Sequence, residues 1–350
     1  MYIKIANKKI SDDSPVFIIA EAGVNHNGDV KLAEQLVDAA IRANADAIKF
    51  QTFTTELLVR RNAPKAEYQN NNIGKKKSQY KMLKELELSF KDTKTIKQYC
   101  DDRGIIFLST PYDFASIEFL EKIKVPAYKL SSIDVVTHPL IKKIAQLNKP
   151  LILSTGMATE KEIRAAVKIF SSISKNKKLI LFQCNTDYPS KLEEQNLRTL
   201  AILKKYAPFV GFSDHTIGNI AAITAVALDI KVIERHFTLD KHMPGPDHKA
   251  SLNPEEFAIY VTNIKETEAA LGKKQKNPTP GELKNMISMR RSICAKNNLA
   301  KGSIIKEENL AYKRPGNGLN PTQENINKLV GKKAIRDIAA DENILPELVK

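Results

Sequence analysis

The chain has 350 residues, which is long enough for one large domain plus a small one or for two medium ones. Its content of 42% hydrophobic and 27% charged residues is ordinary for a soluble globular protein. Its longest apolar stretch, residues 220–228, is too short to cross a membrane, and the first residues lack the apolar core of a signal peptide. The 3 cysteines form no CxxC pair, which argues against a disulfide framework and predicts a cytoplasmic protein.

The net charge of +15 is open to three interpretations: a nucleic-acid partner, attraction of small anionic substrates, or a lysine-rich surface without a specific partner. The densest basic run, residues 75–77, lies in no recognisable nucleic-acid-binding module. We therefore expect neither a nucleic-acid nor a membrane partner.

In chain order, residues 1–13 predict a small hairpin, after which strand-like and helix-like segments alternate. The predicted strands are short, apolar and rich in β-branched residues: 16–20, 45–50, 105–108, 127–130, 151–153, 179–183, 209–212 and 231–234. The clearest amphipathic segments are 30–43, 159–170, 219–228 and 254–271. Eight such units predict a (β/α)8 TIM barrel over residues 1–271. A doubly wound open sheet is the alternative, but no GxGxxG follows the first strand.

A polar, proline-containing stretch follows the last of these units. It predicts a linker over residues 272–284 and a small C-terminal domain over residues 285–350. Within that domain residues 295–305 resemble residues 334–344, an offset of 39 positions. This internal repeat indicates a compact, pseudo-symmetric domain.

Polar residues lie in or directly after the last positions of every predicted barrel strand, at the end where such barrels hold their reactive groups. They are Glu21 with 25–28, Lys49 with Gln51, 109–111, Lys129 with 131–132, 154–156, 185–189, 213–215, and Glu234 with His236. Lysine and hydroxyl side chains suit a phosphate or carboxylate ligand. The apolar surroundings of Lys49 and Lys129 also leave a Schiff-base aldolase open.

Two of the strand ends carry histidines, His215 and His236. Neutral imidazole binds manganese, zinc and similar ions, so the pair predicts a divalent metal that acts as an electrophile. Further ligands would come from water or substrate.

Together, these strand-end motifs resemble the sialic acid synthase family. The motifs are 21–28 (EAGVNHNG), 49–53 (KFQTF), 66–69 (AEYQ), 109–111 (STP), 154–158 (STGMA), 211–215 (GFSDH), 234–240 (ERHFTLD), 245–248 (GPDH) and 314–318 (RPGNG). The resemblance runs from about residue 14 to residue 345, in order and at the family's spacing. It implies a barrel followed by a small antifreeze-like (SAF) domain.

The resemblance also implies roles for individual residues. His215 and His236 match metal ligands, with Mn2+ favoured and Mg2+ or Co2+ as substitutes. The positions that match phosphoenolpyruvate contacts are Lys49, Thr110, Lys129, Ser132, Ser154, Asn185, Thr186, Ser213 and His215. The positions that match sugar contacts are Glu21, Gln51, Tyr188, Asp247 and Arg314, the last donated by the partner subunit of a domain-swapped homodimer. The positions that match catalytic residues are Glu21, Lys49, Lys129 and Glu234. Either of the two carboxylates could orient the water that takes part in the reaction.

One departure concerns residues 184–189, which read CNTDYP where many relatives have Cys-Thr-x-x-Tyr-Pro. It leaves open whether Asn185 or Thr186 contacts the phosphate.

The implied reaction is the condensation of phosphoenolpyruvate with an N-acetylmannosamine-type sugar to N-acetylneuraminate, with C–O cleavage and release of phosphate. The alternative acceptor is a diacetamido trideoxy hexose, which would give legionaminic or pseudaminic acid. A binding protein with an RNA-binding or ice-binding face is a third possibility, but it leaves the polar strand ends unexplained.

Overall fold

A computed structural model describes residues 1–74 and 76–350, and Lys75 of the basic run lies outside the described residues. The chain divides into two compact units, Met1–Gly272 and Lys273–Lys350. Among the described residues, no helix is long and apolar enough to cross a membrane.

The chain begins with an antiparallel hairpin of β1 (Tyr2–Ile5) and β2 (Lys8–Ser11). Its side chains alternate, so that Ile3, Ile5 and Ile10 are fully buried while Tyr2 is exposed. The three isoleucines belong to one buried cluster with side chains of the barrel strands.

The eight strands that follow form one parallel sheet in the order β5-β4-β3-β10-β9-β8-β7-β6, and its two end strands lie beside each other. The strands are β3 (Phe17–Gly23), β4 (Ala47–Thr52), β5 (Ile106–Pro111), β6 (Tyr128–Leu130), β7 (Leu151–Ser154), β8 (Leu179–Cys184), β9 (Phe209–Asp214) and β10 (Val232–His236). β10 pairs with β3, which brings the first and last barrel strands together. The predicted (β/α)8 barrel is confirmed.

Helices connect these strands, and most of them cover the outside of the sheet. They are α1 (Val30–Arg42), α2 (Thr55–Leu58), α3 (Glu67–Ile73), α4 (Gln79–Leu86), α5 (Phe90–Arg103), α6 (Phe114–Lys122), α7 (His138–Gln146), α8 (Glu160–Ile173), α9 (Leu200–Leu203), α10 (Ile220–Ala227) and α11 (Pro254–Leu271). Several begin at residues whose side chains accept backbone hydrogen bonds, such as Asp29, Thr159 and Asn253. Such caps satisfy free N–H groups of the first turn and fix where each helix starts.

Successive residues of each strand face opposite sides of the sheet. On β3, Ile18, Ala20 and Ala22 pack with the helices, whereas Phe17 and Ile19 belong to the cluster inside the barrel. Glu21 is the next inward-facing residue after Ile19, two residues nearer the carboxyl end of the strand. The alternation therefore carries Glu21 to the mouth of the barrel.

The second unit contains α12 (Pro280–Met289), β11 (Ser292–Ala295), β12 (Leu310–Lys313) and α13 (Gln323–Asn327). Thr279 caps α12, so the last residues of the predicted linker, 280–284, belong to this helix. The repeated segments pair at equivalent residues, since Leu299 and Ile338 exchange two backbone hydrogen bonds of 2.8 Å. This pairing gives the small core an approximate internal twofold symmetry.

Candidate active site

A cavity of about 560 Å3 opens at the carboxyl ends of the barrel strands. Its volume lies in the range of small-molecule sites. Most residues with a predicted role line it: Glu21, Lys49, Gln51, Thr110, Lys129, Ser132, Ser154, Thr186, Tyr188, Ser213, His215, Glu234, His236 and Asp247. The fold thus brings together side chains from every barrel strand.

At the base of the cavity lies a network of buried charges. Lys49 Nζ is 2.7 Å from Glu21 Oε2 and 3.6 Å from Glu234 Oε2, and it donates to Thr110 Oγ1 at 3.0 Å. Lys129 Nζ lies 3.5 Å from Glu234 Oε1. These four ionisable side chains are at most 3% exposed, and buried charges persist only when paired in this way.

The surroundings separate the pKa values of the two carboxylates. Burial raises the pKa of Glu21 to about 7, against the lowering effect of Lys49. Burial also acts on Glu234, but Lys129 and Lys49 outweigh it and lower its pKa to about 2. For the lysines, burial lowers the pKa of Lys129, whereas Glu21 and Glu234 overcome burial and raise that of Lys49. Glu21 is therefore the carboxylate suited to exchange a proton near neutral pH.

Hydroxyl groups surround the lysines. Ser213 Oγ donates to Glu234 Oε1 at 2.8 Å, and Ser132 Oγ accepts from the backbone N–H of Gly156 at 3.0 Å. A Cβ on Gly156 would lie 2.8 Å from that Oγ, so only glycine permits the approach. Ser154 Oγ is buried without a hydrogen-bond partner among the described residues. An unpartnered hydroxyl in a cavity that also holds two lysines suits an anionic ligand.

The two histidines stand next to each other, with ring centroids 5.4 Å apart. His215 Nδ1 lies 2.5 Å from the carbonyl oxygen of Asn185, a contact that requires the proton on Nδ1 and leaves Nε2 with a lone pair. Burial lowers the pKa of His215, but Cys184 and this carbonyl raise it overall. Burial and His215 lower the pKa of His236 well below its usual value, and its Nδ1 has no partner among the described residues.

Asp247 lies on the loop after β10, and the backbone of that loop is held from two sides. Ser251 Oγ donates to the Asp247 carbonyl at 2.7 Å and accepts from Asn25 Nδ2 at 2.9 Å. Asn72 Nδ2 of α3 donates to the carbonyl of Pro246 at 2.6 Å. Burial raises the pKa of Asp247 to about 6.

Two residues with predicted roles are not among those that line the cavity. The Asn185 side chain accepts from the backbone N–H of Asp187 at 2.9 Å, while its carbonyl binds His215. Its neighbour Thr186 lines the cavity instead. Arg314 belongs to the second unit, where it is exposed, and its role remains a prediction.

Part of the cavity wall was not foreseen from the sequence. It comes from the stretch between β4 and α5, called here the wall segment (residues 55–74 and 76–86), which contributes Tyr68, Gln69, Met82 and Leu86. The motif 66–69 signalled this region, but it carried no predicted role. Tyr112, after β5, was also missed.

Residues 36–276 match the NeuB family, and residues 290–350 match the SAF domain. The chain belongs to the NeuB family. It is 40% identical over 355 residues to the N,N'-diacetyllegionaminic acid synthase of Legionella pneumophila, covering 99% of each chain. It is 33% identical over 343 residues to the human N-acetylneuraminate-9-phosphate synthase, covering 97% of this chain and 94% of the relative.

Among solved structures, the N-acetylneuraminic acid synthetase of Leptospira borgpetersenii matches with a TM-score of 0.71 at 32% identity. The match covers 82% of this chain and 95% of that one. The barrel followed by a SAF domain and the sialic-acid-synthase resemblance are thereby confirmed, and the chain is an enzyme of the sialic acid synthase type.

Proposed function

We propose that this enzyme condenses phosphoenolpyruvate with an N-acetylmannosamine-type sugar to a nine-carbon sialic acid and releases phosphate. The observation that carries the proposal is the buried lysine pair, which lies among hydroxyl groups and beside two histidines at the barrel mouth. The family membership and the relatives' names support the same reaction type.

In this proposal, phosphoenolpyruvate binds at the base of the cavity. Lys49 and Lys129 would neutralise its phosphate and carboxylate, and Ser132 and Ser154 would donate hydrogen bonds, as would Ser213 once its hydroxyl turns away from Glu234. Of the two residues left open by the sequence, Thr186 is the better candidate for a phosphate contact because it lines the cavity. Holding both reactants in one cavity supplies much of the rate.

The chemistry implied by the family includes a divalent metal, Mn2+ in our proposal, and His215 and His236 would hold it. Their donor set fits, because the Asn185 carbonyl takes the proton of His215 Nδ1, which leaves Nε2 to bind the metal in the neutral ring, and the lowered pKa of His236 keeps that ring neutral. No group of three or more His, Cys, Asp and Glu side chains converges on a metal position within residues 1–74 and 76–350. When bound, the ion would polarise the aldehyde oxygen of the open-chain sugar.

C3 of phosphoenolpyruvate then attacks the aldehyde carbon, and a water adds at C2. We assign the acceptance of the water's proton to Glu21, because Glu234 is already bonded to Ser213 and flanked by both lysines. The tetrahedral product expels phosphate by cleavage of the C–O bond.

The test is phosphate release from phosphoenolpyruvate by the purified full chain with an N-acyl-mannosamine-type acceptor and Mn2+. EDTA should abolish turnover and added Mn2+ should restore it. With 18O in the bridging position, the label should leave in phosphate. Label retained in the sugar product, or full activity after exhaustive chelation, would contradict the proposal. Trapping of a lysine by borohydride would instead support a Schiff-base aldolase.

We further propose a cytoplasmic homodimer in which Arg314 serves the partner's site. The cysteines Cys100, Cys184 and Cys294 are free and buried, which suits a reducing compartment. Co-expression of His236→Ala with Arg314→Ala, each inactive alone, should restore roughly a quarter of the wild-type activity if the exchange holds. If Arg314 serves its own barrel, mixing should restore nothing.

A further inference from the structure

A second cavity of about 330 Å3, called here the rim cavity, is built from the loops after β9 and β10 and from α11. Residues 217–219 and 249–252 line it, together with Tyr260 of α11. The loop after β10 contributes to both cavities, since Asp247 lines the active-site cavity and Lys249 lines the rim cavity. The rim cavity is therefore a neighbour of the active site with its own set of lining residues.

Arg235 supplies a buried charge to the rim cavity and is only 2% exposed. It precedes His236 on β10, so its side chain lies on the opposite face of the strand. Its Nη1 lies 3.1 Å from Asp214 Oδ1 and donates to the Asp214 carbonyl at 3.3 Å. Its buried Nε has no hydrogen-bond partner within residues 1–74 and 76–350. A buried donor without a partner costs free energy, which a bound acceptor would recover.

The other charges of the rim cavity are mostly positive. Lys241 and Lys249 line it together with Arg235, whereas Glu256 is the carboxylate among the described residues that line it. Lys241 Nζ already donates to Glu256 Oε1 at 2.7 Å. Lys249 is exposed, and none of the ion pairs among the described residues includes it. A positive charge thus remains for an anionic ligand.

Helix α10 begins at the same cavity. Gly218 and Asn219, the two residues before the helix, line the rim cavity, and the Asn219 side chain does not cap the helix. A Cβ built on Gly218 would meet no atom within 4 Å, so the space in front of the helix is open. Free N–H groups in the first turn of a helix bind anions.

From this geometry we infer that the rim cavity is a second anion site, which binds the phosphate group of a small ligand. Arg235, Lys249 and the first turn of α10 hold the phosphate oxygens. The exposed side chains of Ile217 and Ile259, which also line the cavity, offer contacts to a small organic group beside the phosphate. The inference does not depend on the reaction proposed above, because none of these residues belongs to the catalytic cavity.

The test measures the binding of inorganic phosphate to the full chain by isothermal titration calorimetry, without metal or sugar. Lys249→Met should weaken one binding event about tenfold or more, which corresponds to the loss of a hydrogen bond between charged groups. Lys129→Met, in the active-site cavity, should leave that event unchanged. Binding that is lost in Lys129→Met and unaffected by Lys249→Met, or no binding at all, would overturn the inference.

A parallel titration with glycerol 3-phosphate distinguishes two sources of the phosphate group. Tighter binding of glycerol 3-phosphate than of inorganic phosphate at the site sensitive to Lys249→Met would assign a phosphate monoester as the ligand class. Tighter binding of inorganic phosphate would assign the free ion. Failure of both probes to bind at that site would contradict the inference.

Lys265→Met is the matched control. Lys265 is an exposed lysine of α11, but it lines a different cavity. Its substitution changes the net charge by the same amount as Lys249→Met, and it should leave the phosphate Kd within about twofold, since a distant exposed charge is screened by salt. Both variants should unfold at the urea concentration of the wild type. An equal loss of affinity in the two variants would assign the binding to overall charge and overturn the site.

A further variant should strengthen the binding. Glu256→Gln removes the carboxylate of the rim cavity and releases Lys241, so the phosphate Kd should fall about fivefold. Glutamine can still accept from the Asn253 N–H, which keeps the capping box at the start of α11. Arg235 is left in place, because its loss would leave the buried Asp214 without its cation. An unchanged Kd in Glu256→Gln would count against the inference.

Discussion

The two ends of the barrel interior are built from the same strands and carry opposite chemistry. Towards the amino ends, the inward side chains form an apolar cluster with the hairpin isoleucines. Towards the carboxyl ends, the next inward positions hold charges and hydroxyls: Phe17 and Ile19 precede Glu21 on β3, and Val232 precedes Glu234 and His236 on β10. The inward side chains are almost completely buried at both ends. The two ends therefore differ not in the extent of burial but in its effect. At one end it stabilises the fold, and at the other it perturbs pKa values.

This difference explains what the sequence predicts well. A strand's inward row follows from period-two alternation, so an apolar run that ends in Glu21 or Glu234 predicts both a core and a site. The same reasoning placed Lys49 and Lys129 inside the cavity, where the structure has them.

The sequence says less about the wall segment. Helices α2 to α4 have 4, 7 and 8 residues, fewer than the roughly 11 over which a helical period is recognised in a sequence. Met82 and Leu86 of the wall segment pack with Val24 and Phe53, and the Tyr68 ring lies 4.9 Å from that of Tyr188, all of them residues distant in sequence. Contacts of this kind depend on tertiary packing rather than on local pattern. The role of Arg314 stays a prediction that rests on the resemblance alone.

The largest effect is expected where the charged end is broken. Lys49→Met should lower kcat/KM about 10²–10³-fold, because a cation that holds the anionic substrate is lost. It should also destabilise the protein by about 3–5 kcal/mol, since Glu21 loses its partner at 2.7 Å. Phosphate release and urea unfolding measure the two effects.

A second variant separates them. Lys49→Met combined with Glu21→Gln removes both charges and should recover most of the stability without recovering activity. The control is Lys8→Met, which removes an ion pair with Asp46 of the same 2.7 Å length at the surface. That loss should cost less than about 1 kcal/mol. Equal destabilisation by Lys8→Met and Lys49→Met would refute the role of burial.

At the apolar end of the barrel, a substitution should lower the stability of the protein and leave its activity unchanged. Ile5 is fully buried in the hairpin, and Ile5→Ala should cost about 2–5 kcal/mol of unfolding free energy. Below the unfolding transition, kcat/KM should equal that of the wild type, because the substituted side chain does not line the cavity. Tyr2→Ala, on the exposed face of the same strand, should change stability by less than about 0.5 kcal/mol. A fall in kcat/KM of folded Ile5→Ala would show that the two ends are coupled.

A smaller effect is expected on the pH dependence of the unfolding free energy, through the buried His26 near the barrel mouth. Burial lowers the pKa of His26 from 6.5 to about 4, so between these values the unfolded chain binds more protons than the folded one. The contribution of neutral His26 is therefore complete above pH 6.5 and is lost as the pH falls towards 4, by up to about 3 kcal/mol. Glu21, whose pKa is raised, acts in the opposite direction. The difference between wild type and His26→Gln in unfolding free energy, measured from pH 7.5 to 4, isolates the histidine. A pH-independent difference would contradict the assignment.

The smallest effect distinguishes two adjacent residues at the mouth. Asn185 uses its carbonyl to hold His215 and its side chain to close a turn at Asp187, whereas Thr186 lines the cavity. Asn185→Ala keeps the carbonyl, so it should leave KM for phosphoenolpyruvate within about twofold, at a cost of about 1 kcal/mol for the lost turn contact. Thr186→Val replaces the hydroxyl by a methyl group of similar size. It should raise that KM about tenfold, which corresponds to the loss of one hydrogen bond to a charged group. If the two variants exchange these effects, the phosphate contact belongs to Asn185, and the loop after β8 presents its other residue to the substrate.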